Sequence, residues 1–575
     1  MSASHVISTA GHVDHGKSTL VMALTGTNPD RFAEEQERGL TIDLGFAATD
    51  LPSGRTIAII DVPGHVRFLK NMLAGVGAVD ACMFVVSAVE GWMPQSEEHV
   101  RILQLLNVSH GVVALTQVDL VDEETLELAQ LDVAEHLEGT FLAEAPIVSV
   151  DSISGSGLED LRSALDNVLN DTPRAEDVRR PRLWIDRAFA AKGSGTVVTG
   201  TLTGGTLRVD DELVVEPSRH TVRVRAIQSL HQSRKKIGPG NRVALNLSGV
   251  SHDQVRRGDV IVKAGQWHRS SVFDASVHVL EDLDHALSRR GAHVVYLGSG
   301  EHTAALRVLG PEELVPGSSG FVRLRLDSAY PMLPGDRFVL RESGRSETIG
   351  GGEILDIDPV TKASEAKPDR SVDRVIAERG WVTSEELLLL TGEKRPPTIG
   401  PWIVEADVFE TSCAELKARV ETAAGLGLPL AELDDRQRAL IDVIDDIAVD
   451  GTHVRIVDAA DALKDHPFLA ALTAEPFSPP KADRYDRAEV RELVRRGLVV
   501  HSEDIHFASE AIDQAIEIMA DLLAATPDGV TVSDIREALS TSRKYALPLV
   551  AHLDATGVTR RRDDVRIAGP RLPTR

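Results

Sequence analysis

Cysteine is almost missing: 575 residues contain two, Cys82 and Cys413, far apart in the chain. Two distant thiols make neither a disulfide framework nor a repeated Cys-x-x-Cys zinc module, so a reducing compartment is expected. No uncharged apolar run reaches the ~18 residues of a membrane span. The N-terminal stretch MSASHVISTAGHVDHGKS also lacks a basic segment followed by an apolar one. The expected location is the cytoplasm, off the membrane. Positive charge is scarce too, with 62 Lys and Arg against 88 Asp and Glu, a formal charge of −26. Such an acidic body does not coat nucleic acid in general, so any RNA or DNA contact has to come from a local patch. The last 35 residues, Thr541 to Arg575, reverse the sign with eight Lys or Arg and three Asp. One fold does not account for the length, because single cores rarely exceed about 300 residues.

What is present begins with alternating patterns. Between residues 5 and 170, β-branched runs (RTIAIIDV, ACMFVVSA, GVVALTQVD, APIVSVDS) alternate with amphipathic stretches such as SEEHVRILQLLN. That alternation predicts β-α-β units around a parallel sheet. Asn170 to Arg182 is charged, proline-bearing and aperiodic, and reads as a linker. From Leu183 to about Asp358, short strands separated by glycine turns predict two β-barrels. Beyond PVTKASEAKPDRS the pattern turns helical, with helix pairs several of which end in a two-stranded hairpin, the outline of a winged helix. Up to four such units fit between 365 and 575, a degenerate helical solenoid being the alternative.

The segment GHVDHGKS, Gly11 to Ser18, fits G-x-x-x-x-G-K-[ST] between an apolar strand and a helix, the context a phosphate-binding loop requires. Its backbone N–H groups curl around the β- and γ-phosphates, with Asp14, His15 and Gly16 in the curl and Thr19 following it. Lys17 neutralises phosphate charge and the Ser18 hydroxyl is a ligand for Mg²⁺. DVPGH, Asp61 to His65, ends a strand, so Asp61 reaches the metal through water, Gly64 offers an N–H to the γ-phosphate and His65 stands where an attacking water is held. Thr41, in GLTID, covers the metal and γ-phosphate and lets go when that phosphate is lost.

AGHVDHGKST, RGLTID, DVPGHVRFLKNML and EGWMPQSEEH together resemble the GTPase domain of translation factors related to elongation factor Tu, and FAAKGSGTVVTGTLTGG, Phe189 to Gly205, resembles the start of that family's second domain. The resemblance implies GTP and GDP as ligands, Mg²⁺, two switch segments, a ribosomal trigger and a third domain that is a further barrel. One motif departs. The family reads guanine with Asn-Lys-x-Asp, whereas this chain has TQVD, Thr116 to Asp119. Asp119 keeps the acceptor for guanine N1–H and its amino group. Gln117 lacks the cationic stem and Thr116 the carboxamide, which leaves nucleotide affinity open. Ser149, in VSVDS, occupies the family's last guanine-contacting loop.

About 210 residues follow the third domain, where elongation factor Tu stops. The final unit reads as three helices and a wing. Ile512, Ile516, Met519 and Leu523 share one helical face, as do Ala546, Leu549, Val550 and Leu553, while Pro548 predicts a kink or a late helix start. Arg543 and Lys544 lie at the N-terminal end of the third helix, and Arg560, Arg561 and Arg562 on the wing, where such folds meet nucleic acid.

TSRKYALPLVAHLDATGVTRRRDD further resembles the last winged helix of the bacterial selenocysteine-specific elongation factor family. That resemblance implies delivery of selenocysteinyl-tRNA to the ribosome at an in-frame UGA, recruited by an mRNA hairpin (SECIS). It also places an aminoacyl pocket at Asp186, Arg187 and Arg242, closed by Asp43 from the switch side. A selenol is ionised at neutral pH where a serine hydroxyl is not, so cationic donors there favour the correct cargo. The expected protein is a multidomain monomer. Its parts are an α/β P-loop GTPase domain (1–172), two β-barrel domains (183–265 and 270–360), and a C-terminal arm of tandem winged helices, degenerate over 366–507 and RNA-binding over 508–575. Two other readings stay open: an ordinary elongation or initiation factor with an unrelated appendix, and a GTP-switched winged-helix regulator of DNA.

Overall fold

A computed structural model of the chain describes residues 4–30, 35, 41–65, 68–77, 79–191, 195–345, 347–423, 426–457 and 463–573. Residues 38–40 of RGLTID, residues 66 and 67 of the segment after DVPGH, and 192–194 ahead of GTVVTG lie outside them.

The first domain is a six-stranded sheet of β1 (Ser4–Ala10), β2 (Gly45–Asp50), β3 (Thr56–Asp61), β4 (Ala81–Ser87), β5 (Gly111–Thr116) and β6 (Ile147–Ser149). Their order is 2-3-1-4-5-6, and only β2 runs antiparallel to its neighbour. All seven residues of β4 are buried because helices cover both faces. One face packs α1 (Lys17–Thr25) and α5 (Leu158–Asp171), through Leu20, Leu24, Leu161 and Leu165, on Ile7, Ile59 and Val85. The other packs α2 (Leu69–Val76), α3 (Pro94–Leu105) and α4 (Glu123–Leu137), through Leu73, Leu103 and Val133, on Val6, Phe84 and Val86. Leu161, Leu165 and Leu169 recur every fourth residue, which turns one stripe of α5 into core. The phosphate loop, Asp61 and Thr116 all follow or end strands at the carboxyl edge of this sheet, where ligands of open α/β sheets bind.

The first barrel closes through strands Arg182–Trp184, Gly195–Thr203, Asn241–Ser248, His220–Ser229, Glu212–Glu216 and Val260–Val262. The second is a closed ring of Arg269–Val279, Ser319–Pro331, Gly300–Leu309, His293–Leu297, Arg337–Glu342 and Glu347–Asp356. Alternate residues fill each interior, as in Gly195–Thr203, where every second side chain is buried. Two capped helices follow, Val372–Arg379 behind Ser371 and Ser384–Thr391 behind Thr383, each cap accepting an N–H from three residues on.

Two compact units result, Met1–Pro396 and Pro397–Arg575, so the division falls inside the stretch expected as one run of repeats. Among the described residues of the second unit, three helical modules each carry a small sheet, of three, two and three strands in turn. Strand pairs of this kind make winged helices and set the solenoid aside. In the last module, Ser509–Ala525, Val532–Ala538 and Arg543–Ala555 enclose Ile512, Met519, Leu523, Leu549, Val550 and Leu553. The third helix starts at Arg543 and passes through buried Pro548, so the late start does not occur. Proline has no N–H for the carbonyl four residues back, and that carbonyl belongs to exposed Lys544, in the first turn. Among the described residues, no helix is long and apolar enough to cross a membrane.

Candidate functional site

The phosphate loop is held from three sides. Gly11, at φ +126°, presses so close to β4 that a Cβ there would lie 2.1 Å from the Val85 carbonyl oxygen. Its N–H donates to His99 Nδ1 at 3.0 Å and the Val13 N–H donates to Gln95 Oε1 at 3.1 Å. Both acceptors stand one turn apart on α3. Gly11 thus shapes the turn and spends its donor on the protein. Burial pushes His99 down to about 3 and His15 to about 4, so both imidazoles are neutral at physiological pH. The third side is Gly64, where a Cβ would fall 2.5 Å from Lys17 Nζ and 2.6 Å from the Val13 nitrogen. Only glycine lets the loop after β3 come this near.

Lys17 is 6 % exposed, and its ammonium donates to the carbonyls of Gly11, at 3.1 Å, and His12. Burial lowers it to about 8, and the carboxylates of Asp61 and Asp14 offset that loss of solvation only in part. Beside it, four oxygens form a chain: Asp61 Oδ2 to Ser18 Oγ 2.6 Å, Ser18 Oγ to Thr41 Oγ1 2.7 Å, Thr41 Oγ1 to Asp30 Oδ1 2.9 Å. Two hydroxyl protons serve three contacts, and burial raises both carboxyls, Asp61 to about 6. Thr9 Oγ1 donates to the other Asp61 oxygen at 2.7 Å and fixes its orientation. A proton-poor set of hard oxygens fits a small divalent cation. Ser18, Thr41 and Asp61 converge as the motif spacing predicts; Asp30 is an addition that no motif marks. His65 sits in the turn after Gly64, with its carbonyl taking the Phe68 N–H at 2.8 Å and its ring 6.0 Å from that of Phe68.

TQVD is tied to the phosphate loop. Thr116 Oγ1 donates to the His15 carbonyl at 2.7 Å, and Gln117 Nε2 donates to the Asp14 carbonyl at 3.2 Å from a left-handed backbone, φ +59°. The hydroxyl and the amide thus tie this strand end to the backbone of the phosphate loop. Asp119 is exposed one turn further on, and Ser149 Oγ accepts from Gln130 Nε2 at 3.1 Å.

The four aminoacyl-pocket residues also meet. Arg242 makes a two-pronged pair with Asp186 at 2.5 and 3.0 Å, and its guanidinium stacks 3.5 Å from the Phe46 ring centre. Arg187 donates to the Leu44 carbonyl at 2.8 Å and reaches Asp43 at 3.5 Å. Arg257, which the sequence did not single out, binds Asp43 at 2.6 Å, Asn71 at 2.6 Å and the Asp186 carbonyl at 2.8 Å. Three arginines therefore share two aspartates, which leaves the cluster cationic. On the wing, Arg560, Arg561 and Arg562 are exposed, as are Arg543 and Lys544. Arg561 lies opposite Arg566, itself held by Asp554 at 3.1 Å.

A phosphate-loop domain followed along the chain by two barrels and then winged helices is the domain series of a translation factor of the elongation factor Tu type. Four sequence families match the chain: the elongation factor Tu GTP-binding domain over residues 3–171, elongation factor Tu domain 2 over 195–262, the selenocysteine-specific elongation factor beta-barrel domain over 274–361, and the elongation factor SelB winged helix over 521–568. The selenocysteine-specific elongation factor of Desulfomicrobium baculatum is 39% identical over 67% of this chain and 60% of its own length. That of Escherichia coli K12 is 37% identical over 63% and 57%. The chain thus spans less than two thirds of these relatives. A crystal structure of a bacterial selenocysteine-specific elongation factor, EF-Sec, superposes with a TM-score of 0.76 at 26% identity, covering 99% of this chain and all of that one. SelB of Methanococcus maripaludis in complex with the GTP analogue GppNHp gives 0.54 at 25% identity, covering 63% of this chain and 81% of that one. The chain belongs to the selenocysteine-specific elongation factor family.

Proposed function

We propose that this protein binds GTP, carries selenocysteinyl-tRNA to the ribosome and is recruited to in-frame UGA codons by an mRNA hairpin. The observation that carries the reading is the exposed arginine wing, Arg560 to Arg562, on a module matching the SelB winged helix, in a chain of charge −26. An unrelated appendix would not be expected to match there, and a DNA regulator has no use for an aminoacyl cluster.

Lys17 and the N–H groups of Asp14 to Thr19 cradle the β- and γ-phosphates, and Asp119 selects guanine. Ser18, Thr41 and Asp61 hold Mg²⁺, which supplies positive charge at the phosphates. Bound γ-phosphate would keep Thr41 and the Gly64 N–H where they stand beside Ser18 and Lys17, and this closed state binds tRNA. Arg187, Arg242 and Arg257 keep the aminoacyl end in a cationic site, where a selenolate gains a charge-assisted contact that a hydroxyl does not. His65 orients water for in-line attack once the codon is read on the ribosome, and loss of the γ-phosphate frees the switch and the tRNA.

Replacing Arg560, Arg561 and Arg562 together by Ala is the direct test. Hairpin binding is lost while GTP binding stays as in the unmodified chain. Undiminished hairpin binding by this variant would sink the recruiting role of the wing.

A further inference from the structure

The second barrel carries a cation cluster that neither the nucleotide site, the aminoacyl cluster nor the wing uses. Strands Arg269–Val279, Ser319–Pro331 and Gly300–Leu309 lie side by side, and their register sets two rows: Asp274, Arg323, Arg307 and Val272, Arg325, Ala305. Small side chains flank Arg325, and Lys362 to Ser364 rim a depression of about 500 Å³. Arg323 is fixed there, donating to both Asp274 oxygens at 2.6 and 2.8 Å and to the Thr361 carbonyl at 2.9 Å. Arg307 stands directly across from it, an opposition of like charges that destabilises a sheet unless something lies between them. Arg307, Arg325 and Lys362 are exposed and have no side-chain partner among the described residues. The nearby carboxylates Asp356 and Glu378 do not serve them, because Arg374 holds both, at 2.9 and 2.6 Å.

We propose that this pocket holds a backbone phosphate of RNA. Two guanidinium forks and an ammonium converge on one depression, and planar forks match phosphate oxygens in pairs. Its floor, Val272, Ala305 and Leu306, offers no side-chain polar group with which to read a base. The contact positions RNA and is blind to sequence. Three unpartnered cations in one pocket stand out in a chain with an excess of 26 negative charges. The inference rests on the carrier reading above. Carried tRNA and ribosomal RNA share this phosphate chemistry, and the test separates them.

The full chain bearing Arg307→Ala with Arg325→Ala is loaded with a GTP analogue. Its binding to selenocysteinyl-tRNA, and separately to vacant ribosomes, is measured across salt concentrations. The expected result is an unchanged GTP affinity and, in one arm, a log K against log salt slope shallower by about one to two. Loss in the tRNA arm assigns the phosphate to the cargo; loss in the ribosome arm assigns it to ribosomal RNA. Arg307→Lys with Arg325→Lys keeps the charge and therefore most of the slope, which separates lost phosphate contact from lost folding. Slopes equal to those of the unmodified protein in both arms overturn the proposal. Failure of the unmodified protein to bind tRNA in a GTP-dependent way would instead refute the carrier reading.

Discussion

At the scale of single residues, the nucleotide site works by close approach and shared protons. Thr116 Oγ1 lies 2.7 Å from the His15 carbonyl, and both residues are buried. Thr116→Ala leaves that acceptor unpaired, a loss of about 1–3 kcal/mol, so GTP affinity is expected to fall roughly tenfold by titration calorimetry. Lys17 gives a pH dependence with a definite sign. Burial holds it near 8 in the free site, and bound phosphate restores its charge, so binding takes up a proton as the pH passes that value. GTP affinity should hold below about 8 and decline above it; a flat profile from 7 to 9 would contradict this assignment. Ser18, Lys17, Thr41 and Asp61 were legible in the sequence because phosphate chemistry fixes their spacing along the chain. His99, Asp30 and Arg257 were not. Arg257 meets Asp43 across 214 residues and His99 meets Gly11 across 88, separations that only the packed sheet and barrels bring together.

Among the elements, periodicity carried most of the information. The buried stripe Ala546, Leu549, Val550 and Leu553 was legible as a helical face, and Leu553, fully buried, is a core anchor of the last module. Leu553→Ala should cost about 2–5 kcal/mol, seen as an earlier unfolding transition by calorimetry with GTP binding intact. The wing is a strand, so its arginines alternate. Arg561 shares a face with buried Thr559, and Arg560 and Arg562 share the other. Replacing Arg560 and Arg562 by Ala should therefore weaken hairpin binding more than Arg561→Ala does in a gel-shift titration. The division at Pro396 was not legible. Helices Val372–Arg379 and Ser384–Thr391 read like those that follow, yet Arg374 reaches Asp356 at 2.9 Å and Arg180 donates to the Leu388 carbonyl at 3.0 Å. Such tertiary ties override a local pattern.

For the molecule as a whole, charge separates the tasks. The chain as a whole is acidic, and against that background clusters of cations stand out at the proposed aminoacyl site, the second-barrel pocket and the wing. The domain series was legible because each part has its own period: β-α-β, close-spaced strands, then helix pairs with hairpins. What the sequence left open was how the arginines of the aminoacyl cluster are shared, since each pairing joins distant segments. Three arginines against Asp43 and Asp186 leave the site cationic. On the proposed carrier reading, that surplus is what would tell one cargo from another. The decisive measurement is the affinity of the full-length, GTP-loaded protein for selenocysteinyl-tRNA and for the same tRNA charged with serine. The account predicts that the selenocysteinyl form binds at least tenfold more tightly and that GDP abolishes the difference; equal affinities in the GTP form would contradict it.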